Sequence, residues 1–140
     1  MSIAFTELKR TGLNNRSKLK KYIIRLGKLE GIAIESIHII FCSDDYLLSI
    51  NKDYLQHDYY TDIITFDLSE PGSSQKCAEI YISIDRVRSN AIDYQTTIKK
   101  ELHRVIFHGI LHLCGFKDKN NKQQQQMRLK EEEYLSDYFK

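Results

Sequence analysis

TIKKELHRVIFHGILHLCGFKD, residues 97–118, reads as one strongly apolar helix from Thr97 to Leu113, ended by Gly115. His108 and His112 stand four apart, so their side chains lie one above the other, with Cβ atoms roughly 5–6 Å apart. Two imidazoles so placed can reach one ion at about 2.0–2.1 Å. Gly115 adopts positive φ without strain, which lets the chain fold back and present Asp118 as a third ligand. Three protein ligands leave a fourth coordination position open, the arrangement of a catalytic zinc and not of a structural one. At about 100° per residue Glu101 and Val105 share the face of the two histidines, while His103 points away and reads as structural. Glu101 reads either as a carboxylate beside the metal or substrate, or as an ordinary exposed residue of the first helical turn. Position 109 separates reaction classes. A peptidase of the HExxH kind carries its general base there, and glycine takes no proton, so peptidase chemistry is disfavoured. The missing side chain reads as room beside the metal for a larger substrate.

Outward from this helix, Ser2–Leu8 reads as an edge strand, and Leu19, Tyr22, Ile23 and Leu26 mark the inner face of a helix stopped by Gly31. Glu35–Cys42 is a β-branched and aromatic strand. Ser43, Asp44 and Asp45 then offer N-terminal partners to a helix with the stripe Leu47, Ile50, Asn51 and Tyr54. Asp62–Leu68 and Cys77–Ile84 read as two more strands, Asp85 as the cap of the next helix, and Gln123–Phe139 as a last amphipathic helix. The expectation is an α/β or α+β domain spanning residues 1–140, with about five helices on a small mixed four-stranded sheet.

The 140 residues, 41% hydrophobic with nine Tyr and six Phe, exclude a disordered chain. No apolar run reaches the roughly 18 residues of a membrane span, and no signal-peptide core is visible, so a cytoplasmic protein without a membrane partner is expected. Cys42, Cys77 and Cys114 form no CxxC pair, which argues against a disulfide framework or a four-thiolate zinc site. From Met1 to Gly31 eight basic residues face two acidic ones, a balance of +6 that leaves −4 for the remainder of a chain with net charge +2. That asymmetry suits either a polyanion-facing patch or a solvated helix face. Tyr22, Tyr54 and Tyr81 fit apolar stripes better than base-stacking platforms.

The run HGILHLCGFKD (His108–Asp118) resembles the signature HGxLHLxGYDH of the YbeY endoribonucleases, also called rRNA maturation factors. INKDYLQHDYYTDIITFD (Ile50–Asp67) is similar to that family's LNxxYRxxDxPTDVLSF segment, AEIYISID (Ala78–Asp85) to its GDIxIS strand, and Glu101 to its glutamate ahead of the metal helix. The resemblance implies a zincin-like fold with one zinc ion per chain and a single-strand-preferring endoribonuclease. Its roles would be 16S rRNA 3′-end maturation and ribosome quality control, with rRNA and the small ribosomal subunit as partners and a monomer or weak oligomer as the working form. His108 and His112 match the family's first two zinc histidines, and Asp118 stands where the third histidine is. That exchange lowers the site's charge by one unit and makes a bound water less acidic. Leu55 replaces an arginine assigned to RNA phosphate, and Tyr60 replaces a proline. Glu101 and Asp62 are the candidates for proton transfer; His57, Asp58 and Thr61 flank the cleft segment. The alternative reading is a ribosome-assembly binding factor with a mainly structural zinc, with a zincin-like peptidase third.

Overall fold

The computed structural model describes residues 1–140. In chain order the elements are β1 (Ser2–Glu7), α1 (Arg16–Leu29), β2 (Ala33–Cys42), α2 (Asp44–Leu55), β3 (Ile63–Asp67), β4 (Gln75–Ser83), α3 (Ile84–Asp93), α4 (Ile98–Leu113) and α5 (Asn121–Tyr138). The four strands lie in the order β1-β2-β4-β3, with β1, β2 and β4 parallel and β3 antiparallel to β4. The expected mixed α+β sheet with five helices is what the chain forms. Parallel neighbours need crossovers, supplied by α1 and by the α2–β3 passage, whereas β3 and β4 join through a short loop.

Strand alternation divides the core. Ile37, Ile39 and Phe41 of β2 and Ala78, Ile80 and Ile82 of β4 face Leu19, Ile23 and Leu26 of α1 and Val105, Ile106 and Ile110 of α4, within one cluster of 25 buried residues. On the opposite face only α2 covers the sheet, through the small cluster of Cys42, Leu47 and Ile64. Tyr54 does not join it. The residue is 69% exposed, its ring edge-on to Phe66, so the expected apolar stripe of α2 ends one turn early. The cap of α3 also differs from expectation: Ser83 Oγ accepts the Arg86 N–H at 3.1 Å, and Asp85 instead accepts from Lys9 and from the Asp44 N–H. All three cysteines are free, and no helix is long and apolar enough to cross a membrane.

Gly109 sets how closely α4 approaches the sheet. A Cβ there would stand 2.8 Å from Ile63 Cδ1 and 3.3 Å from Ile80 Cδ1, so the missing side chain is filled by the sheet and opens no room beside the metal ligands. Ile63 must yield to any larger residue. Gly109→Glu, which would recreate an HExxH sequence, is expected to lower unfolding free energy by roughly 3 kcal/mol or more, because it overpacks this contact and buries a carboxylate. Urea denaturation checks the loss, and peptidase assays of the variant should stay blank.

Candidate metal centre and cleft

Helix α4 ends in a wrapped turn that the sequence dictates locally. Gly115 sits at φ 103°, its N–H bonds the His112 carbonyl at 3.0 Å, and the Phe116 N–H bonds the Leu111 carbonyl at 3.1 Å. This paired closure is the Schellman arrangement that glycine favours. It turns the chain so that Asp118 Oδ2 comes within 3.3 Å of His108 Nε2 and 3.4 Å of His112 Nε2, which are 3.0 Å from each other.

The other nitrogen of each ring is already committed. His112 Nδ1 meets the Phe116 carbonyl at 2.9 Å, and a carbonyl only accepts, so Nδ1 carries the proton. His108 Nδ1 meets Glu131 Oε2 at 2.6 Å. Burial pushes the Glu131 carboxyl up, but the His108 hydrogen bond and the Arg104 charge outweigh it and hold the group below its usual range, hence ionised and accepting. The Nε2 atoms are therefore the ones turned toward each other and toward a carboxylate oxygen. The three ligand atoms converge on one point at which a cation could lie. The two separations from Asp118 fit the edge of about 3.3–3.4 Å of a tetrahedron with bonds of about 2.0–2.1 Å, and the Nε2–Nε2 separation is somewhat shorter, so this donor set suits a small divalent ion. The three residues predicted as ligands are thus brought together.

Behind His108 lies a buried ionic chain. Arg104 donates from Nε and Nη2 to the two oxygens of Glu101 at 2.8 and 2.6 Å, and from Nη1 to Glu131 Oε1 at 2.9 Å. Glu101 and Glu131 are each only 2% exposed. Burial alone would lower the Arg104 pKa, but its two carboxylate partners raise it above the ordinary arginine value. Asn90 Nδ2 stands 3.4 Å from both Glu101 Oε2 and Asp62 Oδ2, and Arg104 Nη2 is 3.9 Å from Asp62. Glu101 therefore touches Arg104 and does not face the cleft. Asp62 does line it, and burial raises its pKa against the opposing charges of Arg104 and His108. Arg104 and Glu131 were not among the expected site residues. Glu131 had a signal, because Met127, Glu131, Tyr134 and Tyr138 fall at i, i+4, i+7 and i+11 along one face of α5.

The three candidate ligands open into a cleft of about 450 Å³. One wall is the end of α4 with Asp118, the other is α2 and its following loop with Asn51, Leu55, His57 and Tyr59, and β3 forms the floor. Asn51, expected on the apolar stripe, is buried and donates to the Tyr59 carbonyl at 2.9 Å, which pins that loop. Asp58 lies outside the cleft, 3.3 Å from Lys52. His103 packs on Tyr138 and hydrogen-bonds the Lys99 carbonyl through Nδ1 at 2.7 Å, and its pKa is lowered by burial, as befits a structural residue. His38 reaches Thr6 at 2.6 Å. Burial pushes the Cys114 thiol up to about 12, and it packs against the core.

A helix-borne HxxxH pair closed by a carboxylate from the next turn, on a small mixed sheet, makes this an α+β protein with three side chains placed so that they could hold one metal ion. The family model described as Endoribonuclease YbeY matches residues 6–139. A relative from Cytophaga hutchinsonii named Endoribonuclease YbeY is 49% identical over 124 residues, 89% of this chain and 86% of that protein. One of the same name from Porphyromonas gingivalis (strain ATCC 33277) is 50% identical over 115 residues, 82% and 75% of the two chains. The solution structure of TM1509 from Thermotoga maritima superposes with a TM-score of 0.69 at 31% identity, covering 99% of this chain and 89% of that one. The chain belongs to the YbeY endoribonuclease family.

Glu131→Gln keeps the shape but removes the charge that orients His108, and is expected to weaken zinc binding by about 10–100-fold. Asp118→Ala should weaken it further and Asp118→His should restore it. Competition titration against a chromogenic chelator measures all three, and undiminished affinity in Asp118→Ala would remove that residue from the site.

Proposed function

We propose that this chain is a zinc-dependent endoribonuclease that cuts single-stranded RNA, working in the cytoplasm as a monomer or weak oligomer on the rRNA of the small ribosomal subunit. Its roles on this reading are maturation of the 16S rRNA 3′ end and ribosome quality control. The observation that carries the reading is the convergence of two imidazole nitrogens and one carboxylate in an open cleft, in a family whose relatives bear the endoribonuclease name. His108, His112 and Asp118 would hold one zinc ion, whose charge would stabilise a phosphoryl oxygen as negative charge develops there. Glu131 and the Phe116 carbonyl engage the two Nδ1 atoms and so aim both Nε2 atoms at the ion's position. Asp62, in the cleft wall with its pKa raised, is placed to take and return a proton. Glu101 acts at one remove, by fixing Arg104. RNA carries its own 2′-hydroxyl nucleophile, so the reaction does not need the base that Gly109 lacks.

No Lys or Arg lines the cleft, and Leu55 occupies the wall, so substrate affinity must come from cations outside it. Lys117 and Lys119 are exposed beside Asp118, and on α1 Lys21, Arg25 and Lys28 form an exposed row without ion-pair partners. Lys9 and Arg16 are already paired, with Asp85 and Glu7. The poverty of cleft cations favours one second reading, an assembly factor with a structural zinc.

Metal-dependent nicking of a single-stranded RNA is expected to fall at least about 100-fold in His112→Ala, with casein left intact by both proteins. Identical RNA patterns from nuclease-free wild type and His112→Ala would sink the enzyme reading in favour of the assembly factor. Separately, replacing Lys21, Arg25 and Lys28 together by Gln should flatten the salt dependence of RNA binding by up to about 2 in log–log slope, since each lost phosphate contact removes about 0.7. An unchanged slope would assign this row to solubility.

A further inference from the structure

Strand β3 is the outer strand on the cleft side and pairs only with β4. In antiparallel pairing, alternate residues turn both backbone groups toward the neighbour and the others turn both away. Two bonds fix the phase here: the Ser83 N–H to the Asp62 carbonyl at 2.9 Å, and the Leu68 N–H to the Cys77 carbonyl at 2.8 Å. Ile64 and Phe66, in phase with Asp62 and Leu68, thus face β4. Ile63, Thr65 and Asp67 turn their N–H and C=O groups outward, along the cleft that all three line. Thr61 Oγ1 reaches the Ile63 carbonyl at 3.4 Å, and no other protein hydrogen bond meets that row. Beside it, Thr65 Oγ1 is buried without a partner.

The chemistry of this edge selects its occupant. Donors and acceptors alternate along it, whereas a sugar-phosphate backbone presents mostly acceptors, which the outward carbonyls repel. Another extended polypeptide matches both kinds of group. Charge narrows the choice: the cleft lining contains Asp62, Asp67 and Asp118 and no Lys or Arg. Asp67 has one cation near it, Lys76 at 3.4 Å, and Asp62 has Arg104 at 3.9 Å, both outside the lining. A second copy would bring the same carboxylates against these, so the partner is a different, cationic chain. An added strand would point alternate side chains toward the α4 wall with Asp118 and toward the α2 wall with Leu55.

We propose that the outer edge of β3 docks an extended polypeptide segment of alternating cationic and apolar residues, which adds a strand to the sheet and fills the cleft beside His108, His112 and Asp118. Such a segment excludes RNA from the cleft while it is bound, whichever reaction the metal centre performs.

The test uses the full chain and a heptapeptide of alternating arginine and valine. Amide exchange read residue by residue by NMR should show Ile63, Thr65 and Asp67 exchanging fast alone and slowly with peptide, while Ile64 and Phe66 are protected throughout. N-methylating one alternate set of peptide residues should weaken binding at least about tenfold, and the other set should be tolerated, since only one set faces β3. Thr65→Pro removes an outward N–H that the β3–β4 ladder does not use, and should weaken binding similarly with the protein still folded by circular dichroism. Equal binding by both N-methylated peptides would overturn the proposal, and so would unchanged exchange at saturating peptide. Protection of the same three amides by a single-stranded RNA oligonucleotide but not by the peptide would overturn it in favour of RNA.

Discussion

Arg104 is the charge on which the rest of the site depends. Two carboxylates, Glu101 and Glu131, are buried beside the packed end of α4, and neither is tolerable there without the guanidinium between them. Removing one partner of such a buried set costs about 3–5 kcal/mol, because the groups left behind stay desolvated. The planar fork of arginine also fixes direction: it engages both oxygens of Glu101 and one of Glu131, leaving Glu131 Oε2 free for His108. Lysine has the charge but not this geometry. Counting Glu101, Glu131 and Asp118 against Arg104, the assembly is anionic around His108, and a cation at the paired Nε2 atoms offsets that excess.

The same chain joins elements far apart in sequence. Glu131 comes from α5, Arg104 and the histidines from α4, and Asn90 from α3, and it links them to Asp62 just ahead of β3. The orientation of His108 and tertiary packing are therefore coupled. A shift of α5 against α4 would disturb the His108 ring through its Glu131 hydrogen bond.

How much of this could be read in the residues follows from distance along the chain. His108, His112, Gly115 and Asp118 sit within one helical end and its turn, where spacing alone fixes geometry, so the convergence of the three candidate ligands was legible. All four strands and five helices were legible too, with small shifts at their ends, since their periods are local. The role of Gly109 was not, because it depends on where β3 and β4 lie, and the gap beside it is closed by Ile63 and Ile80. Glu131 hid in the run Lys130-Glu-Glu-Glu, which looks like a solvated face until it is phased against Met127 and Tyr138. Ser83 outcompeted Asp85 as the cap of α3 because Asp85 was drawn to Lys9 and to the start of α2, partners from other parts of the chain.

The wrapped end of α4 has an electrostatic consequence as well as a geometric one. Sixteen residues of aligned peptide dipoles finish beside His112, which places roughly half a negative charge at the helix end where the ligands converge. That field comes from the backbone, so no side-chain replacement at the ligands abolishes it. It favours cations and disfavours anions at this end of the helix, and an ion held there would have to outweigh both this field and the Asp118 carboxylate before a phosphate could approach. A metal ion held with aspartate as the third ligand would accordingly work with a narrower margin of positive charge than one held by three neutral imidazoles.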